Sequence, residues 1–71
     1  MKVRYDQDVD VLYIRLKDGD IVESDEVGAG IIIDYAEDGM PVGVEILDAR
    51  KRKGIIPFKV ELELLQEASE K

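Results

Sequence analysis

The chain has 71 residues, 17 acidic against 10 basic, for a net charge of −7. It contains no Cys and no His, which excludes disulfides, the usual zinc and copper sites, and any Cys–His dyad or Ser–His–Asp triad within the chain. The acidic balance favours solubility and disfavours nonspecific binding to nucleic acid or acidic membranes. Ser24 and Ser69 are the only hydroxyl side chains besides the tyrosines, so any chemistry rests on carboxylates, Lys, Arg or Tyr. A single domain of this length buries only roughly 60% of its unfolded surface. Without disulfides or metals it gains stability from regular packing or self-association, so a homodimer or larger homo-oligomer is expected. No apolar run approaches the roughly 20 residues of a membrane span. Met1–Asp6 lacks the apolar core of a signal peptide, which points to the cytoplasm. The lack of Asn and Thr beside many charges leans toward a thermophile.

Lys2–Tyr5 alternates, with Val3 and Tyr5 on one face and Lys2 and Arg4 on the other, and predicts a first strand. Asp6-Gln7-Asp8-Val9-Asp10 predicts a turn, because Asp carboxylates bond backbone N–H groups two residues on. Val11–Leu16 predicts a second strand and completes a hairpin. Lys17-Asp18-Gly19-Asp20 reads as a turn. Ile21–Val27, acidic and only partly alternating, reads as an edge strand or extended connection. Gly28-Ala29-Gly30 is a break.

Ile31–Tyr35 and Pro41–Leu47 then form the strongest hairpin signal, around the loop Ala36-Glu37-Asp38-Gly39-Met40. Ile31-Ile32-Ile33 is apolar on both faces, which predicts a central strand. Asp48–Gly54 reads as a short helix, with Asp48 as N-cap, bases toward its C-terminal end and Gly54 as its stop. The segment 57–65 is a strand by its alternation from Phe58 to Leu64, with a helix as the rival reading. The tail, 66–71, is polar and expected to fray. The fold class is therefore α+β: a small antiparallel, meander-like sheet of four or five strands with one short helix after the fourth main strand.

One face of such a sheet collects Val3, Tyr5, Leu12, Ile14, Leu16, Ile33, Val44, Ile46, Val60 and Leu62. The other collects Arg4, Tyr13, Arg15, Asp34, Glu45, Lys59 and Glu61. Opposite charges there can pair across strands. A single sheet with one apolar face cannot cover itself, and a second copy stacked on it would.

Tyr5–Leu16, Gly30–Tyr35 with Asp38-Gly39, and Val42–Ala49, in this order and spacing, resemble the YuzE-like domain of unknown function family 2283. The likeness covers about residues 2–50. It implies a small prokaryotic cytoplasmic β-rich protein and brings no activity, cofactor or catalytic residue. Some members look like the second gene of small two-gene units beside toxin-like proteins, which implies an antitoxin-like or partner-binding role. Ala36 stands where the family often has an acid.

Several patterns invite chemistry. Asp6, Asp8 and Asp10 sit at alternate positions like the opening of a calcium loop, but Val11 and Lys17 occupy the positions that need Gly and Glu, so turn formation explains them better. Gly28-Ala29-Gly30 opens a strand rather than a helix and is no phosphate loop. Asp10, Tyr13, Asp34, Glu45 and Asp48 form a possible ligand site. Asp34 and Glu45 facing each other could make an acid–base pair. The plainer reading pairs them with Arg4, Arg15 or Lys59 on an exposed face. Arg50, Lys51, Arg52 and Lys53 could bind an acidic partner, although the helix dipole also accounts for them. No aromatic residues interleave with them for base stacking, so nucleic acid is disfavoured. No cofactor or metal is indicated. The expected function is an oligomeric protein-interaction module, possible partner or antitoxin-like member of a two-gene unit. The alternative is a carboxylate-based enzyme or small-ligand-binding protein with its site at a subunit interface.

Overall fold

The structure, a computed structural model, describes residues 1–52 and 59–66. It contains five strands, β1 (Lys2–Asp6), β2 (Val11–Arg15), β3 (Glu23–Gly28), β4 (Ile31–Tyr35) and β5 (Pro41–Leu47), followed by one 3₁₀ turn, Ala49–Lys51. All neighbours are antiparallel, and the order across the sheet is β1-β2-β5-β4-β3.

That order corrects the simple meander. β3, β4 and β5 do run as consecutive hairpins, but β2 leaves its hairpin with β1 and lies beside β5, not β3. Residues 16–22 therefore cross the ends of β5 and β4. The Leu16 N–H donates to the Val42 carbonyl at 2.8 Å and the Val22 N–H to the Tyr35 carbonyl at 2.9 Å. Gly19 passes close to Val42 and Ala36. Arg15 holds the crossover from below by donating to the carbonyls of Lys17 and Gly19. The central position falls to β5, with the isoleucine-rich β4 next to it.

Local chemistry shapes the turns. The Asp8 N–H donates to the Asp6 carboxylate at 2.9 Å, and Asp10 adopts a left-handed φ of 59° that Asp tolerates. In the β4–β5 loop the Gly39 N–H donates to the Ala36 carbonyl and the Met40 N–H to the Asp38 carboxylate.

The expected helix is only the 3₁₀ turn, so among the described residues the fold is essentially all β. Asp48 does not cap it. Its φ of 53° is left-handed and its carboxylate meets Lys51 at 3.7 Å. Asp10 takes that role from the β1–β2 turn: its carbonyl accepts the Ala49 N–H at 3.1 Å and its carboxylate the Arg50 N–H at 2.8 Å. The far end of the expected helix, Lys53 and Gly54, lies outside the described residues.

Residues 59–66 form neither the expected strand nor its helical rival; they are exposed and irregular. Residues 57 and 58 lie outside the described region. Alternation gives a segment a strand's two faces, but a strand forms only where a neighbour takes up its N–H and C=O groups.

The registers place Val3, Tyr5, Leu12, Ile14, Val44, Ile46, Ile31 and Ile33 on one face, as the alternation predicts. Of these only Leu12 is buried; the rest are half-buried. Among the described residues the buried apolar core is Leu12, Val42 and Ala49.

Candidate functional site

The opposite face is polar and builds a small constellation around Gly43. Strand pairing sets Asp34 on β4 across from Gly43 on β5, and Ser24 on β3 across from Asp34. Glu45 lies two residues beyond Gly43 on the same face, a diagonal neighbour of Asp34 within reach of its side chain. Tyr13 on β2 pairs with Glu45 and leans over Gly43. A Cβ at position 43 would lie 2.5 Å from the Tyr13 hydroxyl, so only glycine leaves room for the ring.

Asp34 is 0% exposed, the one buried ionisable residue among those described. Its Oδ1 accepts the Ser24 hydroxyl at 2.6 Å. Its Oδ2 is buried and meets no conventional donor. A hydrogen bond with Asp34, then burial, then the Asp34 charge all hold the Glu45 carboxyl above its ordinary 4.5. Two carboxyls this close disfavour ionising together, so Glu45 keeps its proton to higher pH than a free glutamate.

The expected pairing of these acids with Arg4, Arg15 or Lys59 is not what forms. Among the described residues the ion pairs within 4 Å are Lys51–Asp48 and Lys59–Glu61, both exposed. Arg15 donates to the Tyr13 hydroxyl at 3.1 Å and otherwise to the crossover. A shallow hollow of about 330 Å³, lined by Arg4, Asp6, Val9, Val11, Tyr13 and Glu45, adjoins the pair.

The five residues read together from the sequence thus divide. Tyr13, Asp34 and Glu45 share the polar face. Asp10 and Asp48 lie beyond the strand ends, beside the 3₁₀ turn. Asp10 accepts the Tyr5 hydroxyl at 2.7 Å, and Arg50 Nε donates to the same hydroxyl at 3.2 Å. Burial pushes the Asp10 carboxyl up, but the Tyr5 hydroxyl, the Arg50 N–H and the charges of Arg50 and Lys51 outweigh it and hold it below its ordinary 3.8. Asp10 is a staple between the first turn and the end of β5.

The basic residues are committed to their own chain as well. Arg52 donates to the carbonyls of Leu47 at 2.9 Å and Ala29 at 2.6 Å, Arg50 serves Asp10 and Tyr5, and Lys51 meets Asp48. Lys53 lies outside the described residues.

Sequence reasoning missed Ser24, Gly43 and Tyr5 as members of these clusters. Gly43 carried a signal, since glycine inside a strand often marks a close approach. Ser24 and Tyr5 carried none, because their partners come from strand pairing and from a distant turn. Among the described residues no group of three or more acids could hold a metal ion, and no helix is long and apolar enough to cross a membrane.

Neither a curated protein nor a solved structure matches the chain. A family model, described as Protein of unknown function (DUF2283), matches residues 2–50, which hold all five strands and both polar clusters. The chain belongs to the DUF2283 family.

Proposed function

We propose that the protein is an interaction module that works as a homo-oligomer, with the apolar face of its sheet as the association surface. One observation carries this: among the described residues seven apolar-face side chains, Val3, Tyr5, Ile14, Ile31, Ile33, Val44 and Ile46, remain half-buried over a core of three. Each gains stabilisation, at about 25 cal/mol per Å² of apolar surface removed from water, only when something covers it. A second sheet of the same kind offers a matching face, since aligned packing brings the apolar inner faces of two twisted sheets together. The antitoxin-like role implied by the family resemblance is a narrower form of the same reading, in which the assembled module also holds a second protein. Sedimentation equilibrium tests the association. The full chain at micromolar concentration should show the mass of two or more copies, and Ile33→Lys the mass of one. A single-copy mass for the unchanged chain ends this reading.

A second reading rests on Asp34. Its Oδ2 is buried and meets no donor among the described residues, and beside it Glu45, whose carboxyl is held above its ordinary value, lines an open hollow. Such a pair can pass a proton to and from a ligand, or accept a donor that a ligand brings. Tyr13, Asp34 and Glu45 are its residues; Asp10 and Asp48 have no part in it. A spectral-shift screen with small amines, amides and sugars should give hits that Asp34→Asn and Glu45→Gln both abolish while the oligomeric mass stays constant. Hits indifferent to both substitutions would dismiss the site.

A further inference from the structure

We propose that residues 59–64 of one copy add as a sixth, antiparallel strand to the outer edge of β1 in a second copy, reciprocally. The inference rests on the homo-oligomeric reading above and names its contact. β1 is an edge strand, and among the described residues nothing pairs with its outer side. The segment Lys59-Val60-Glu61-Leu62-Glu63-Leu64 alternates strictly, yet Val60 is 66% exposed and Leu62 and Leu64 are each 91% exposed. Lys59 Nζ lies 3.4 Å from Glu61 Oε2, so these two side chains already share one side of the segment, as alternate residues of a strand do.

The sequences of the two edges select a partner and a register. β1 presents Lys2, Arg4 and Asp6 on the polar face, and Val3 and Tyr5 on the apolar face. Setting Val3 opposite Leu62 in antiparallel sense places Asp6 opposite Lys59, Arg4 opposite Glu61 and Lys2 opposite Glu63. All three charged pairs are then of opposite sign, and Tyr5 meets Val60 on the apolar face. A slip of two residues one way sets Arg4 against Lys59; the other way it sets Asp6 against Glu61. The other open edge, β3, sets Glu23 and Asp25 on the apolar face and Glu26 on the polar face, so the same arm would place Val60 and Leu62 beside carboxylates and its own acids beside Glu26. Like charges directly opposite destabilise a strand pair, so the β1 edge and this register stand alone.

Area points to a second copy. A five-stranded face about 24 Å across and 17 Å along the strands makes about 800 Å² of flat contact when two copies stack. Stable interfaces begin near 1,200 Å², so stacking alone falls short. Two exchanged arms add their length to both sides of the contact and extend each apolar face by one strand. Reciprocal exchange also closes the pair with two-fold symmetry and covers both β1 edges. Among the described residues 59–66 pairs with no strand of its own chain, and a second copy offers it the same β1 edge.

Two experiments on the full chain decide it. The chain has no cysteine, so single thiols report cleanly. Val3→Cys and Leu62→Cys chains carrying different mass tags are mixed and oxidised. Directly opposed residues sit within disulfide range, so a Val3–Leu62 cross-link between chains is expected, in at least tenfold excess over one formed with Glu63→Cys. Ring closure within a doubly substituted chain, without linked pairs, overturns the exchange. In the second experiment, Glu61→Lys with Glu63→Lys weakens self-association at least tenfold, and adding Lys2→Glu with Arg4→Glu restores it. Unchanged association of the arm variant overturns this proposal while leaving the homo-oligomer intact. A single-copy mass for the unsubstituted chain overturns both.

Discussion

Glu45 and Asp10 are the carboxyls whose ionisation the fold changes. Because the Glu45 carboxyl titrates above 4.5 in the folded chain, the folded state holds a proton that the unfolded state has released. Its contribution is fully present below that ordinary value and is lost as pH rises through the raised one. Asp34→Asn removes the neighbouring charge, and the Glu45 carboxyl resonance should then titrate close to 4.5 by carbon NMR. Glu45→Gln, which keeps a donor for Asp34, should flatten the loss of stability across the same window. Asp10 has the opposite sign: its carboxyl is held low, so its contribution is lost only as pH falls below 3.8. Asn tolerates the left-handed backbone at position 10 and Ala does not, so Asp10→Ala should lower the melting temperature more than Asp10→Asn. A calorimetric order of Asn below Ala would remove Asp10 from the staple role.

At the scale of elements, β5 is the strand on which the others are assembled. It pairs with β2 on one side and β4 on the other, and it carries both Gly43 and Glu45. Hydrogen exchange should therefore be slowest in β5 and fastest in β3, the exposed acidic edge. Gly43 fixes how β2 and β5 share the polar face. Gly43→Ala forces Tyr13 off its seat and should cost about 1–3 kcal/mol in denaturant unfolding. Tyr13→Ala added to it should recover part of that loss, because the obstructing ring is gone. Two independent, additive losses would show that the ring does not occupy the space above Gly43.

For the whole molecule the controlling quantity is how little apolar volume the described residues enclose. Leu12, Val42 and Ala49 are buried, and the remaining apolar face is shared with water. Leu12→Ala should therefore cost about 2–5 kcal/mol and make folding of this small domain marginal, read as the loss of a cooperative thermal transition. The two faces have separate duties. In the proposed reading the apolar one supports association while the polar one carries Asp34 and Glu45, so substitutions on one should leave the readouts of the other unchanged.

The sequence alone determined the hairpin strands up to Leu47, their faces and the family. Period-two alternation in Val3–Tyr5, Val11–Arg15 and Ile31–Tyr35 depends only on backbone geometry, which sends successive side chains to opposite sides. It likewise put Tyr13, Asp34 and Glu45 on one face and left the other apolar. Only the tertiary structure decided the order of the strands, because β2 could follow its hairpin to β3 or cross to β5, and alternation is the same for both. It separated Asp10 and Asp48 from the polar cluster, since a residue past a strand's end has no face until its turn is built. It gave the capping role to Asp10 in place of Asp48, forty residues away from the Arg50 N–H it accepts. It also left 59–66 without a paired strand among the described residues, because whether an alternating segment becomes a strand depends on an edge that its own residues do not supply.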